Sequence, residues 1–244
     1  MSLARVPRLH VEAPLAEGAE VTLERPHCHY LVTVMRLKAG DAVRLFNGRD
    51  GEWLCRLTDD GRKRCAAVCS EKLKDPAPPP DIDYVFAPLK AARLDYMAQK
   101  ATEMGARRLR PVFTDHTVPN RVNLERLKAN AIEAAEQCNL VFVPEVLQPQ
   151  PLMALLETWD PARRIIYCDE AAPVANPVEA LKAVPRGPLA VLIGPEGGFS
   201  ERERKLLRSL DFVHPISLGP RIMRADTAAV AALAVVQATL GDWN

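Results

Sequence analysis

Seven residues, Asp75-Pro76-Ala77-Pro78-Pro79-Pro80-Asp81, constrain the folding of this chain more than any others. Proline has no backbone N–H to donate and holds φ near −65°, so no helix or central strand passes through such a run. The segment is expected to be a stiff linker over 76–81, separating a domain over 1–75 from a second over 82–244. Before it, short alternating runs at 42–46, 52–57 and 64–68 read as strands, with turns at Asn47-Gly48 and Asp59-Asp60-Gly61. That is a small, mostly β domain of about 75 residues, near the lower limit for an independent core. After the linker, strand-like runs at 84–87, 109–113, 164–168, 189–193 and 213–218 alternate with helical patterns. Leu124, Leu127, Ile132, Ala135 and Cys138, for example, recur at the spacing of one helix face. The alternation predicts an α/β domain with a mostly parallel sheet covered by helices.

Two glycine-bearing turns follow the last two of these strands. The first is Gly194-Pro195-Glu196-Gly197-Gly198-Phe199-Ser200, and the second is Leu218-Gly219-Pro220-Arg221-Ile222-Met223-Arg224-Ala225-Asp226-Thr227. Glycine allows close backbone approach to a ligand, and loops at the carboxyl ends of parallel strands are where open α/β sheets bind one. The first turn is a poor phosphate cradle. It carries an acid, Glu196, has no Lys or Arg before Arg202, and lacks the three spaced glycines of a dinucleotide site. A neutral or cationic ligand suits it better. Ser200-Glu201-Arg202-Glu203 is a capping box that opens a helix over about 201–210. The last helix is rich in alanine (Ala228, Ala229, Ala231, Ala232, Ala234, Ala238), which permits close packing.

In order and separation these two turns resemble those of the 16S ribosomal RNA uridine-N3 methyltransferase family. These enzymes belong to the SPOUT superfamily of trefoil-knotted, S-adenosylmethionine-dependent proteins. The chain departs from the family pattern with Met223 for leucine and Ala225-Asp226 for threonine-glutamate. The resemblance extends to Arg5-Val6-Pro7-Arg8, to the segment from His29-Tyr30-Leu31 through Met35-Arg36-Leu37 to Asn47-Gly48, to 99–105 and to 133–137. Cys138-Asn139-Leu140 stands where the family has a small residue, glycine and arginine, so any RNA contact from that arginine is absent or supplied differently here.

The resemblance implies a C-terminal SPOUT-type parallel sheet with a deep trefoil knot, and an N-terminal β-barrel-like, PUA-like RNA-binding domain. It implies S-adenosyl-L-methionine as cofactor and N3 of a uridine in 16S rRNA, on the small ribosomal subunit, as the methylated position. Cofactor-binding positions carried over are Leu192, Ile193, Gly194, Glu196, Gly197, Gly198, Leu218, Gly219, Ile222, Met223 and Thr227. Arg224 is the candidate for orienting the uracil or stabilising its developing anion. Arginine is a poor base because it stays protonated, so the N3 proton goes to solvent or to a carboxylate such as Asp226. Arg5, Arg8 and Arg36 are the candidates for RNA contact, acting on the catalytic domain of a second copy in a homodimer.

Charge does not single out a nucleic-acid binder. Thirty-two Lys and Arg face 31 Asp and Glu, a net +1; residues 1–75 carry 13 against 11. Basic residues cluster only locally, as in Arg62-Lys63-Arg64, Arg107-Arg108 with Arg110, and Arg121 with Arg126 and Lys128. The six cysteines show no paired spacing, and His27-Cys28-His29 alone supplies too few ligands, so no metal is expected. No signal-peptide pattern is present, and the longest apolar stretch falls far short of the roughly 20 residues that span a bilayer. A cytoplasmic protein with reduced thiols and no membrane partner is expected. On the residues alone two other classes stay open: a small-molecule transferase or nucleotide-binding enzyme using the same crevice, and a non-catalytic RNA-binding protein on a methyltransferase fold.

Overall fold

The computed structural model describes residues 3–59, 64–170, 172 and 176–243. Asp60-Gly61 of one expected turn and Arg62-Lys63 of one basic cluster lie outside them. The chain forms two units, Met1–Pro78 with Ala135–Val143, and Pro79–Ala134 with Pro144–Asn244. Residues 75–80 adopt no regular element, as their prolines require.

The smaller unit contains β1 (Arg8–His10), β2 (Glu20–Leu23), α1 (Arg25–Cys28), β3 (Ala42–Phe46), β4 (Glu52–Asp59) and β5 (Cys65–Lys74). Its strands form one sheet in the order β1-β3-β4-β5-β2, antiparallel except for the β1–β3 pair. Alternate residues point inward, so Cys55 and Leu57 of β4 meet Cys65, Ala67 and Cys69 of β5 in a core with Val43, Leu45 and Leu31. Cys55 and Cys69 are cross-strand partners with sulfurs 3.2 Å apart. Burial, first of all, pushes both thiols above their ordinary range. Cys28 is also buried, its thiol donating to the Leu23 carbonyl, so the His27-Cys28-His29 segment serves packing. Helix α1 runs on into a π-helical turn over His29–Val34, in which Met35 N–H donates to Tyr30 O. The turn ends at Arg36, a non-glycine residue in the left-handed region at φ 59°.

The larger unit contains β6 (Ile82–Phe86), α2 (Ala91–Glu103), β7 (Arg108–Phe113), α3 (Leu124–Gln137, its residues from Ala135 on belonging to the smaller unit), β8 (Glu145–Val146), β9 (Gln150–Pro151) and α4 (Leu152–Glu157). There follow β10 (Arg164–Cys168), α5 (Pro177–Lys182), β11 (Leu189–Ile193), α6 (Glu201–Ser209), β12 (Val213–Ile216) and α7 (Ala225–Leu240). Seven strands form a sheet in the order β12-β10-β11-β6-β7-β8, with β9 also on β7, and every pairing is parallel. The C-terminal fold is thus the expected parallel α/β sheet, and the central strands are apolar because both faces are covered. All five residues of β6 and of β11 are buried. One of them is charged: Asp83 is held by Arg108 at 2.6 Å and Arg110 at 2.5 Å, so this basic cluster is tied into the sheet.

The capping box at α6 forms as expected, with Ser200 Oγ accepting the Glu203 N–H and Glu203 Oε2 accepting the Ser200 N–H. Helix α7 packs against α2, α5 and β11. Its alanines Ala225, Ala229 and Ala232 are buried, which allows that close fit. Helix α2 is not among the expected elements; its buried stripe, Met97, Ala98, Ala101 and Thr102, is mostly small or polar.

Candidate functional site

Strands β12, β10 and β11 are neighbours and run parallel, so the segments leaving their carboxyl ends emerge side by side. Those segments are 169–170, 194–199 and 217–224, and together they line a cleft of about 340 Å³. The volume lies within the range of small-molecule sites. The two glycine turns, 25 residues apart in sequence when counted from Gly194 to Gly219, therefore face one space.

Of the residues carried over from the sequence, Ile193, Gly194, Glu196 and Gly198 line one wall. Leu218, Gly219, Ile222, Met223 and Arg224 line the other. Four others stand apart from the lining. Leu192 lies one residue deeper in β11 and is fully buried. Gly197 faces His116 instead, where an added Cβ would come within 3.3 Å of the His116 Cβ. Asp226 and Thr227 occupy the first turn of α7, where Asp226 Oδ1 accepts the Thr227 N–H at 2.9 Å.

Each glycine turn is held from below. Phe199 packs its ring edge-on to Tyr167, centroids 5.1 Å apart, and fills the space where a side chain on Gly194 would go. An alanine Cβ there would lie 2.6 Å from the ring, so only glycine leaves the backbone open to the cleft. His116 Nδ1 lies 3.0 Å from Gly197 O and 3.2 Å from Gly198 O. Because carbonyls only accept, Nδ1 is the protonated nitrogen, and the ring clamps the turn. In the second turn Gly219 takes φ 103°, a conformation that favours glycine, and its N–H is met by Ser217 Oγ.

The walls carry carboxylates, each with its own arginine. Asp169, buried, accepts from Arg208; Glu170 accepts from Arg204 at 2.6 Å; Glu196 accepts from Arg93 at 3.2 Å. Arg221 and Arg224 are exposed at the rim. No ion pair forms at either among the described residues. Arg224 is the N-cap residue of α7 through its backbone, since its carbonyl accepts the Ala228 N–H, and this leaves its side chain uncommitted. Beside it Ile222 is 93% exposed, an apolar residue at the mouth of a cleft. Cys168 also reaches the lining, but burial pushes its thiol up to about 12. It stays neutral near pH 7 and is no nucleophile.

Sequence reasoning passed over Asp169, Glu170, Arg204, Ser217, His116 and Arg93. Asp169 and Glu170 directly follow a strand, and the rule that ligands sit at strand carboxyl ends points to them. His116 and Arg93 carry no local signal.

The RNA candidates lie in the smaller unit. Arg5 and Arg36 are exposed. Arg8 is not: it is 6% exposed, pairs with the buried Glu52 at 2.9 Å, donates to the carbonyls of Ala135 and Leu140, and stacks on Phe46. Its guanidinium ties protein to protein, which corrects the expectation of a direct RNA contact. The Cys138-Asn139-Leu140 departure is part of the same tie. Asn139 turns the chain at φ 57° and presents the Leu140 carbonyl to Arg8. Among the described residues no cluster of three His, Cys, Asp or Glu could hold a metal, and no helix is long and apolar enough to cross a membrane.

The profile of an RNA methyltransferase domain matches residues 76–237, and that of an RNA methyltransferase PUA domain matches residues 28–68. The chain is 32% identical over 232 residues to ribosomal RNA small subunit methyltransferase E of Rickettsia conorii, covering 94% of each chain. It is similar in structure to ribosomal RNA small subunit methyltransferase E from Neisseria gonorrhoeae bound to S-adenosyl methionine. That match has a TM-score of 0.88 and 25% identity, over 98% of this chain and all of the other. A methyltransferase from Legionella pneumophila, in complex with the same cofactor, matches with a TM-score of 0.83 and 26% identity over 96% and 98% of the two chains.

Proposed function

Since the chain belongs to the ribosomal RNA small subunit methyltransferase E family, we propose that it methylates N3 of a uridine in 16S rRNA, using S-adenosylmethionine. The observation that carries this reading is the meeting of both glycine turns on one cleft with the uncommitted Arg224 at its rim. The residues present fit the cofactor. The cleft has no phosphate cradle, its carboxylates are each paired with an arginine, and the filled Cβ position at Gly194 leaves bare backbone for close contact with a cofactor.

When bound, S-adenosylmethionine supplies an activated methyl group, so the protein needs no nucleophile of its own. The backbone of the turns at 194–198 and 218–223 would hold the cofactor, with Glu196 the acceptor for its hydroxyl or amino groups. Leu192, fully buried in β11, supports the first turn from behind. Arg224 faces the base and stabilises negative charge as N3 gives up its proton, the main electrostatic contribution at this site. The N3 proton would pass to Asp226 or to solvent. N3 is hidden when uridine is paired, so the base must be unstacked and unpaired before it reaches the cleft. Arg5 and Arg36 contact the RNA backbone, and Arg8 holds the frame that presents them.

The exposed Ile222 beside the cleft supports a homodimer in which a second copy covers that rim. The expected trefoil knot, with the last segment passed through a loop, is part of this reading. The working site is the cytoplasm, with the small ribosomal subunit as partner.

The decisive experiment is methyl transfer from labelled S-adenosylmethionine to unmodified small subunits and, separately, to naked 16S RNA, with nucleosides read by mass spectrometry. N3-methyluridine from assembled subunits is the expected product. A different methylated nucleoside would overturn the base assignment, and transfer to naked RNA alone would overturn the assembled substrate.

A further inference from the structure

Helix α2 begins with charge of the wrong sign for a helix N-terminus. Lys90 is its N-cap and makes no capping bond, Arg93 stands in its first turn, and no acidic residue accompanies them there. The positive end of the helix dipole disfavours both cations. Arg93 finds its compensation outside the helix. Its Nη1 donates to Glu196 Oε1 at 3.2 Å, and its Nε lies 4.0 Å from Asp226 Oδ2.

Glu196 belongs to the turn after β11, and Asp226 to the first turn of α7. One guanidinium thus bonds a carboxylate of the cleft wall from a third element and lies near a second carboxylate at the start of α7. Arg93 and Glu196 are each 40% exposed, and ion pairs this open contribute little to folding, so stability does not account for the arrangement. The planar fork of arginine can serve two acceptors in fixed directions, which a lysine ammonium does less well.

We propose that Arg93 is a positioning residue, holding Glu196 toward the cofactor. The inference rests on the S-adenosylmethionine reading above. It makes the placing of Glu196 depend on one side chain of α2.

The test is calorimetric titration of the full-length protein with S-adenosylmethionine, for the wild type, Arg93→Met, Arg93→Lys, Glu196→Gln and the Arg93→Met/Glu196→Gln pair. Melting temperature and the pH profile of single-turnover transfer are recorded alongside. Arg93→Met is expected to weaken cofactor binding by about tenfold with little change in melting temperature, and Arg93→Lys to show an intermediate loss. The double variant should bind no worse than Glu196→Gln alone, because Arg93 acts on the cofactor through Glu196. Wild-type affinity in Arg93→Met, or effects of the two substitutions that multiply, would overturn the inference alone. Absence of cofactor binding by the wild type would overturn the functional reading and this inference with it. If Arg93→Met does not fold, Arg93→Lys carries the test: unchanged affinity and an unchanged pH profile overturn the proposal, and a several-fold loss supports it.

Discussion

Arg8 Nε donates to Glu52 Oε2 at 2.9 Å, and neither side chain reaches solvent to any extent. Arg44 and Lys74 close around the same carboxylate at 3.1 and 3.3 Å. The basic N-terminal stretch, which reads in sequence as an RNA arm, is therefore divided in two. Arg5 faces outward, and Arg8 anchors β1 to the 135–140 segment.

Glu52→Gln leaves that arginine buried without a counter-charge, and the expected loss is about 3 kcal/mol of unfolding free energy. Burial pushes the Glu52 carboxyl up, but its hydrogen bond and charge contact with Arg8, then Lys74, outweigh that and hold it below its ordinary 4.5. A carboxyl lowered on folding contributes stability that is full above pH 4.5 and lost as pH falls through the lower folded value. Denaturant titrations between pH 7 and pH 3 should show this acid-side loss in the wild type and a shallower one in Glu52→Gln.

Gly194→Ala places a methyl 2.6 Å from the Phe199 ring, which is already packed on Tyr167. Overpacking of this kind costs about 2 kcal/mol. A lowered melting temperature together with weaker S-adenosylmethionine binding is expected. Wild-type affinity in a destabilised variant would separate the turn from the cofactor.

Arg224→Ala should leave cofactor affinity intact, since only the backbone of Arg224 is engaged in the fold. Turnover is expected to fall roughly 10²–10³-fold, the usual loss when a group that stabilises developing charge is removed. Unchanged single-turnover rates would refute the role.

Arg36→Glu should weaken RNA binding and flatten its salt dependence, by about 0.7 in log–log slope for each single-strand phosphate that the protein no longer neutralises. Arg8→Ala, by contrast, should lower stability before it changes that slope. Filter binding over a series of salt concentrations, with melting curves for both variants, distinguishes the two arginines.

Both glycine turns, the capping box at Ser200 and the strands at 164–168 and 189–193 were legible because their signals are local. A turn, a cap or an apolar run depends on residues within a few positions of one another. Helix α2 was not read, although its residues do repeat with helical period; of its buried residues Met97, Ala98, Ala101 and Thr102 only Met97 is large and apolar.

Side-chain partnerships are another matter. Arg93 and Glu196 are 103 positions apart, and Arg8 and Leu140 are 132 apart. No composition or period encodes which distant residue meets which, because that follows from strand order and from the packing of α7 on α2 and β11. Residue order alone was enough to point to the family and to the two glycine turns that line the cleft, while the third lining segment, 169–170, came only with the fold. Folding settled which arginines are free at its rim, which are spent on carboxylates, and that Arg8 belongs to the core: burial and pairing arise only when the chain closes on itself.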